Sequence, residues 1–369
     1  MTKTEKKSVL VGMSGGVDSG VSAALLKERG FRVVGGFIKN WSDTKDVWTG
    51  ECDWYGERRD AMRVAAKLGI PLLTFDFEEQ YRDKVVKELF AGYEAGETPN
   101  PDVLCNEAIK FGLFLDEARR LGFDYIATGH YAQVVSDEDG VAHLMRGADS
   151  DKDQSYFLYR VPQKALQQSI FPIGDLTKDE VRKIAQKLEH PVAEKPDSQG
   201  ICFIGKLDMG EFLRKKIPSR PGEIIDPNGK ILGKHDGLDQ YTIGQRHGMA
   251  LDVGGHEWYV ADKDLKANRL IVVPDDKHPL LFRTKCEVKD LHWINNPFSN
   301  DARPRTQDPG PIKAEVQVRY RQAPISATLE RNEERGVSII FDEPVRAVAP
   351  GQSAVFYLGD ECIGGGVIG

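Results

Sequence analysis

A stretch of small residues near the N-terminus has the composition of a phosphate-binding loop. Its glycines let backbone N–H groups approach an anion, and the helical pattern that follows adds the partial positive charge of a helix N-terminus. Its carboxylate, Asp18, can orient the loop or hold Mg²⁺. The spacings G-x-x-x-x-G-K-[ST] and G-x-G-x-x-G are both absent, which excludes the two common nucleotide-binding loops. The stretch comprises Gly12, Met13, Ser14, Gly15, Gly16, Val17, Asp18 and Ser19.

A second group of reactive residues follows a rigid loop. Pro99 and Pro101 favour extended backbone, and Asp102 stands where a helical pattern begins. Asp102 is either a plain N-cap or a functional carboxylate. Cys105 lies three residues later on the same helical face, where the positive helix end should lower the pKa of its thiol.

The remaining cysteines differ in their surroundings. Cys202 lies in a glycine-containing polar stretch, residues 196–203, which predicts a loop and a reactive thiol. Cys52, Cys286 and Cys362 are interpreted as incidental. No C-x-x-C occurs, so a zinc site or a redox dithiol is disfavoured, and no metal ligand set is predicted.

These residues need a scaffold, and the first third of the chain predicts one. Apolar runs alternate with helical periodicity, which predicts an α/β domain with a doubly wound parallel sheet and ligands at the carboxyl ends of its strands. Gly30, Gly69 and Gly122 follow three of the helical patterns, as C-terminal caps do. The predicted strands are residues 8–13, 31–38, 71–77 and 123–128, and the predicted helices are residues 20–29, 55–68, 79–93 and 102–121.

The rest of the chain shows a different pattern of predicted secondary structure. Residues 132–146 predict a hairpin, Thr177 and Glu180 form a capping box for a helix to residue 188, and residues 208–216 predict another helix. From residue 218 onward, short apolar stretches separated by turn residues predict β structure. The expected domains are therefore residues 1–217, followed by two smaller, mainly β domains at residues 218–282 and 283–369.

Bulk properties fit a cytosolic enzyme. The N-terminus resembles neither a signal peptide nor a transit peptide, and no run approaches the roughly 20 apolar residues of a membrane helix. Five widely spaced cysteines argue against a secreted disulfide framework. A net charge of −7 speaks against bulk non-specific binding of nucleic acid, while leaving room for a local basic surface.

The string from Ser14 to Ser19 resembles the signature of the PP-loop ATP pyrophosphatases, of the adenine-nucleotide α-hydrolase-like fold. With Asp102, Cys105 and Cys202, the chain resembles the tRNA-specific 2-thiouridylases within that superfamily. Ordered matches run through the whole chain, among them residues 37–41, 127–131, 152–155, 200–203, 241–246 and 318–320. Two residues depart from the pattern: Ile38 stands where the family has Met, and His247 stands where a Lys or Arg is expected.

The resemblance implies an activity. Enzymes of this family use ATP and Mg²⁺ to adenylylate the C2 oxygen of the wobble uridine in tRNA and then replace it with sulfur. It implies that Cys202 carries sulfur as a persulfide, that Cys105 is the partner nucleophile and that Asp102 is a general acid or base. A disulfide bond is expected as part of this chemistry. Ile38 and Gly129 would line the nucleotide site beside the phosphate loop.

The same resemblance implies contacts with tRNA. The expected substrate is the anticodon region of tRNAs with a wobble uridine, those for Lys, Glu and Gln, and the last domain is expected to be a tRNA-binding β-barrel. A persulfide donor, either a cysteine desulfurase or a sulfur relay protein, is the expected protein partner, and no membrane is involved. Asn100, Pro101 and Asp102 would meet the flipped base. Further expected tRNA contacts are His130, Lys152, Asp153, Gln154, Arg319, Tyr320 and Gln352.

Three alternatives remain open. Asp102, Cys105 and Cys202 could instead hold a [4Fe–4S] cluster for the same reaction. A non-catalytic adenine-nucleotide sensor would use the loop but would not need the two cysteines. An ATP-dependent amide or ligase enzyme would normally carry a glutaminase domain or an amino-acid pocket.

Overall fold

Apolar runs in the first half of the chain assemble into a parallel sheet. The computed structural model describes residues 6–42, 53–196, 209–214, 216–249, 251, 255, 257–298, 310–332 and 336–369. The strands of this half are β1 (Ser8–Gly12), β2 (Arg32–Lys39), β3 (Leu72–Asp76), β4 (Tyr125–Ala127), β5 (Ala132–Ser136), β6 (Ala142–Arg146) and β7 (Ser169–Ile170). Five of them form the sheet in the order β3-β2-β1-β4-β7, with every pair parallel. The central strand β1 is buried on both faces, which explains its uninterrupted apolar sequence.

Helices cover both faces of this sheet, so the predicted doubly wound fold is confirmed. Val21 and Val181 belong to the core on one face, and Leu89 and Ile109 belong to the core on the other. The helices are α1 (Val17–Glu28), α2 (Asp53–Leu68), α3 (Glu78–Tyr81), α4 (Lys87–Glu94), α5 (Pro101–Cys105), α6 (Phe114–Arg120), α7 (Gln163–Leu166), α8 (Lys178–Lys187) and α9 (Met209–Arg214). Short 3₁₀ turns lie at Ser155–Leu158, Leu238–Gln240 and Pro279–Leu281. Within the described ranges, no helix is long and apolar enough to cross a bilayer.

Two helices predicted as uniform each contain a π-helical stretch. Arg82–Val86 joins α3 to α4, and Asn106–Leu113 joins α5 to α6. A π turn places an extra residue in each turn and so rotates the buried face of the helix beyond it. In the second stretch, a Cβ on Gly112 would lie 3.0 Å from the carbonyl oxygen of Glu107, so glycine permits the close turn.

The helix ends follow the sequence signals. Gly30, Gly69 and Gly122 adopt left-handed backbone, with φ of +87°, +61° and +77°, as predicted for C-terminal caps. The capping box at the start of α8 is confirmed, because Thr177 accepts from the backbone of Glu180 and the Glu180 carboxylate accepts from the backbone of Thr177.

A smaller, mixed β-sheet follows the first domain. Its strands are β8 (Gly222–Ile225), β9 (Ile231–His235), β10 (Tyr259–Asp264) and β11 (Arg269–Val273). They lie in the order β10-β11-β8-β9. Its core contains Ile224, Val260 and Leu270 together with Ala349 from the last domain, so the two β domains share packing.

The last domain is a closed barrel, as expected. Its strands are β12 (Phe282–Trp293), β13 (Ile312–Gln317), β14 (Ile325–Arg331), β15 (Val337–Arg346), β16 (Ser353–Leu358) and β17 (Glu361–Ile368). Neighbouring strands are antiparallel, and β12 closes the barrel because it pairs with both β15 and β17. Val316, Leu329, Ile339 and Phe356 fill its interior.

The hairpin of the first domain extends the sheet of the barrel. Its turn lies where the sequence predicts it, and β6 then pairs with β17, with Leu144 opposite Cys362. The partnership could not be predicted locally, since the paired strands are far apart in sequence. His143 on this hairpin contacts Glu361 at 2.8 Å and Asp137 at 3.3 Å.

The hairpin contact predicts a pH dependence of stability. The hydrogen bond to Glu361, and then that to Asp137, raises the pKa of His143 above its ordinary value of 6.5. Since the folded state binds the proton more tightly, this stabilisation is complete below pH 6.5 and is lost as the pH rises through the raised pKa. We expect His143→Gln to remove up to about 1 kcal/mol at pH 6 and less at pH 8, because the site is partly solvated. Thermal unfolding at both pH values measures this, with the exposed His247→Gln as control; an equal loss at pH 6 and pH 8 would contradict it.

Candidate functional site

The small-residue loop lies at the carboxyl end of β1 and turns directly into α1. The N–H of Met13 still donates to Gly36 of β2 at 2.9 Å, and the chain then leaves the sheet. Gly15 has a φ of +73°, and a Cβ there would lie 2.3 Å from the carbonyl oxygen of Glu57, so only glycine fits. Gly16 is the N-cap of α1 and has no side chain with which to cap it, and its own N–H donates to the Ser14 hydroxyl at 3.4 Å. The helix N-terminus can therefore receive an anion.

The two serines of the loop face each other across it. Their hydroxyl oxygens lie 3.4 Å apart, and the N–H of Ser14 donates to the hydroxyl of Ser19 at 3.3 Å. Val17 and Met13 are buried beneath the loop. These contacts link the two ends of the loop, with Gly15 buried and Ser14 exposed.

Asp18 is the centre of a hydrogen-bond network that sequence analysis did not identify. Its carboxylate accepts from the hydroxyl of Tyr131 at 2.8 Å and from Nζ of Lys178 at 2.8 and 3.0 Å. Lys178 is the first residue of α8 and is almost fully buried. The phosphate loop contains no lysine, and Lys178 of α8 brings an ammonium group to it from a part of the chain distant in sequence. In the sequence, Lys178 was marked only by its position within the predicted capping box of α8.

The residues around Asp18 fit a magnesium-bound nucleotide. Mg²⁺ commonly takes one or two carboxylates together with phosphate oxygens, and Asp18 with the serine hydroxyls can supply that set. Among the described residues, no group of three His, Cys, Asp or Glu side chains could hold a metal by itself. Any Mg²⁺ here would thus depend on the nucleotide for its remaining ligands.

Two further residues predicted for the nucleotide site lie at neighbouring strand ends. A Cβ on Gly129, just after β4, would lie 2.8 Å from the backbone nitrogen of Ser19, so glycine allows the close approach to α1. Ile38 is buried near the end of β2. Lys195, also missed in the sequence, donates to the carbonyl of Gly15 at 3.2 Å and to Asp60 at 2.8 Å.

The Asp102 and Cys105 pair lies on one turn of α5, as the spacing predicts. Asn100 is the N-cap, because its side chain accepts from the backbone of Asp102 at 3.1 Å, and Pro101 is the first helical residue. The interpretation of Asp102 as the N-cap is therefore wrong. Cys105 is fully buried. Cys202 and Cys52 lie outside the described residues.

The other two cysteines, Cys286 and Cys362, belong to strands of the barrel. Burial raises the pKa of Cys286 to about 12, and burial also raises the pKa of Cys362. A raised pKa disfavours the thiolate, the form in which cysteine acts as a nucleophile. That both are incidental to the chemistry stays a prediction.

A barrel loop reaches the same region as Asn100. Burial raises the pKa of Tyr156, whereas the charge of Arg319 and a hydrogen bond with Asn100 act on its hydroxyl in the opposite direction. Arg319 is exposed, and the ring of Tyr320 lies 4.4 Å from that of Phe157. An open cleft of about 850 Å³ separates this loop from the hairpin side, and Tyr320 and Asp153 line it.

Of the three polar residues predicted at 152–154, Asp153 lines this cleft. The Asp153 carboxylate accepts from the backbone of Gly147 and Ser155, both at 3.0 Å, so it organises its own loop. The Gln154 side chain accepts from the backbone of Tyr131 at 3.0 Å. Lys152 is half-buried. The tRNA contacts of these three residues stay predictions.

His130 and Gln352 both have protein partners in this structure. His130 is buried beside Phe111 and Phe171, its Nδ1 lies 2.7 Å from the Thr128 hydroxyl, and burial, then Lys110, holds its pKa well below the usual range. Gln352 donates to the carbonyl of Thr98 at 2.6 Å. Their contacts with tRNA also stay predictions.

Comparison with known proteins covers the whole chain. Residues 7–206 match the family described as tRNA methyl transferase HUP domain, residues 210–274 the tRNA methyl transferase PRC-barrel domain, and residues 283–368 the aminomethyltransferase beta-barrel domain. The chain is 47% identical to tRNA-specific 2-thiouridylase MnmA of Shouchella clausii over 368 residues, covering 100% of this chain and 98% of the relative. It is 46% identical to the protein of the same name from Proteus mirabilis, with 100% and 98% covered. A solved 4-thiouridine synthetase–RNA complex with bound ATP is 16% identical, covers 57% of this chain and 50% of that chain, and has a TM-score of 0.36.

The position of Lys178 predicts a role in binding ATP, the ligand expected from the sequence. Lys178→Met should weaken ATP binding about tenfold or more, since a charged hydrogen bond to phosphate would be lost. Adenosine, which has no phosphate, should bind as before. Isothermal titration of both ligands measures this, with the exposed Lys183→Met on the same helix as control. Unchanged ATP affinity in a folded Lys178→Met variant would contradict it.

Proposed function

The chain belongs to the tRNA-specific 2-thiouridylase family, and from that premise we propose that it uses ATP to activate the C2 oxygen of the wobble uridine in tRNA and replaces that oxygen with sulfur. It is accordingly a tRNA-uridine 2-sulfurtransferase. The observation that carries this proposal is the joint presence of a phosphate loop and the Asp102–Cys105 turn on one domain of a full-length match. The word methyltransferase in two of the family descriptions has no counterpart in the relatives, which are thiouridylases.

The first step answers a chemical problem. A carbonyl oxygen is a poor leaving group, and attack of the C2 oxygen on the α-phosphate of ATP turns it into part of AMP and releases pyrophosphate. The loop N–H groups and Lys178 would stabilise charge that develops on the phosphates. Mg²⁺, held by Asp18 when it is bound with ATP, would neutralise further phosphate charge.

The second step uses the cysteines. The terminal sulfur of a persulfide on Cys202 attacks C2, and AMP leaves with the former carbonyl oxygen. The Cys105 thiolate then attacks the sulfur of Cys202, which frees 2-thiouridine and leaves a disulfide between the two cysteines. An external thiol must reduce that disulfide, and a persulfide donor protein must reload Cys202. Asp102 would move protons at the base, and the fully buried Cys105 must become accessible when the substrates bind.

The barrel side supplies candidates for gripping tRNA. Arg319 is exposed beside Tyr320, and a guanidinium next to an aromatic ring suits phosphate contact and base stacking. Their closeness to Asn100 through Tyr156 supports a path from the barrel to the base pocket. The expected tRNAs are those for Lys, Glu and Gln.

The iron–sulfur alternative uses the same protein groups. Asp102 and Cys105 lie within one helical turn, which suits either scheme, and the third ligand, Cys202, lies outside the described residues. A nucleotide sensor is disfavoured, because the chain matches enzymes over its full length.

The proposal is tested by incubating the protein with tRNA, ATP and a persulfide source and analysing the digested tRNA by mass spectrometry. Wild type should form 2-thiouridine and release pyrophosphate only when tRNA is present. Cys202→Ser should still release pyrophosphate and form no 2-thiouridine, and Cys105→Ser should reduce thiolation at least about a hundredfold. The matched control is Cys286→Ser. Near-normal thiolation by Cys202→Ser would sink the persulfide scheme, and tRNA-independent pyrophosphate release would sink the assigned substrate.

Arg319 gives a separate test of the tRNA surface. Arg319→Ala should weaken tRNA binding roughly five- to tenfold and lower the slope of log affinity against log salt by about one, since one phosphate contact releases fewer counterions. Turnover at saturating tRNA should be nearly preserved. Lys313→Ala, a barrel lysine paired with Asp342, is the control. An unchanged salt slope would show that Arg319 does not contact phosphate.

A further inference from the structure

Residues 96–98 connect α4 to the loop that begins α5, and both β domains hold them. From the central domain, Nζ of Lys263 donates to the carbonyl of Gly96 at 2.9 Å, and the hydroxyls of Thr242 and Thr98 lie 3.1 Å apart. Residues 96–98 of the first domain therefore contact the central domain, which starts more than a hundred residues later in the chain.

The barrel holds the same segment from another side. The side chain of Gln352 donates to the carbonyl of Thr98 at 2.6 Å, and the N–H of Thr98 donates to the carbonyl of Pro350 at 2.9 Å. Lys289 pairs with Glu97 at 2.6 Å. Both backbone polar groups of Thr98 are thus satisfied by the barrel, which fixes the plane of its peptide bonds.

Both β domains pack closely against residues 96–98. Gly96 has a φ of +77°, and a Cβ there would lie 2.4 Å from a methyl carbon of Leu265. A Cβ on Gly351 would lie 2.7 Å from the backbone nitrogen of Thr98. Burial lowers the pKa of Lys263 to about 8, because its ammonium is partly desolvated. The hydrogen bond to the carbonyl of Gly96 offsets part of the cost of this desolvation. Lys263 is half-buried, so its hydrogen bond to Gly96 is partly shielded from water.

The segment leads directly into the residues that would carry the chemistry. Thr98 is followed by Pro99, and Asn100 then caps the helix at Pro101. Prolines fix φ and restrict the residue before them, so a displacement at Thr98 passes along the chain to Asp102 with little loss. Cys105 lies one turn further on.

We propose that Lys263 and Gln352 are positioning residues for the thiolation reaction: by holding residues 96–98 they set the place of Asp102 and Cys105, so the two β domains shape the active site as well as bind tRNA. This inference rests on the proposed function, because it takes the start of α5 as the site of the reacting base. Gln352 then acts through Thr98, whereas a tRNA contact would act on affinity.

The test separates positioning from binding in the full-length protein. Lys263→Met and Gln352→Leu each remove a donor to the segment and keep much of the side-chain volume, and the exposed Lys266→Met is the matched control. For each variant, kcat and KM for thiolation, the Kd values for tRNA and ATP, and the thermal unfolding midpoint are measured. We expect kcat to fall about ten- to a hundredfold, because small misplacements of reacting groups have effects of that size. The Kd values should change less than about threefold, and Lys263→Arg should recover part of the lost kcat.

Each outcome decides the question. A weaker tRNA Kd with kcat preserved would make these residues tRNA contacts and overturn the proposal, as would wild-type kcat in both variants. If Lys263→Met does not fold, Gln352→Leu and Thr242→Val decide, since they act on Thr98 from different domains. Failure of wild type to make 2-thiouridine would instead refute the proposed function and leave the geometry of residues 96–98 as described.

Discussion

The arrangement of the site depends on the hydrogen bonds that the carboxylate of Asp18 accepts. It accepts from Tyr131, 113 residues away, and from Lys178, 160 residues away. Both partners are tied to the segment that lines the cleft: Gln154 bonds the backbone of Tyr131, and Asp149 accepts from the backbone N–H of Lys178 at 2.9 Å. One half-buried carboxylate therefore joins the phosphate loop to the rim where tRNA is expected. A ligand that bound the carboxylate of Asp18 would therefore alter the support of that rim.

Much of the first domain could be predicted because its signals are local. Strand β1 is covered on both faces, so it reads as an unbroken apolar run, and the phosphate loop needs its small residues side by side. The pairing of Asp102 with Cys105 follows from helical spacing alone. Lys178 and Lys195 could not be predicted as site residues, since each resembles any helix-end lysine until the fold carries it to the loop. The π-helical stretches were missed because an extra residue in a turn leaves no periodic trace in so short a segment.

The residues expected to contact tRNA show why residue type alone is a weak guide to function. Asp153, Gln154 and Gln352 each hold backbone groups of this protein, at Ser155, Tyr131 and Thr98 respectively. A polar side chain near a binding surface has two possible tasks, direct contact and support, and sequence does not separate them. Arg319 differs, because it is exposed.

The union of the hairpin with the barrel bears on how the chain is made. Strand β6 is synthesised more than two hundred residues before its partner β17, and the barrel itself closes only when β17 pairs with β12. A nascent first domain therefore leaves the ribosome with an unsatisfied strand edge, which can pair with other chains. The long wait for β17 raises the entropic barrier to completing the sheet. If β17 is damaged during synthesis, β6 has no partner strand. The nucleotide-binding domain then keeps an unpaired strand edge that can aggregate.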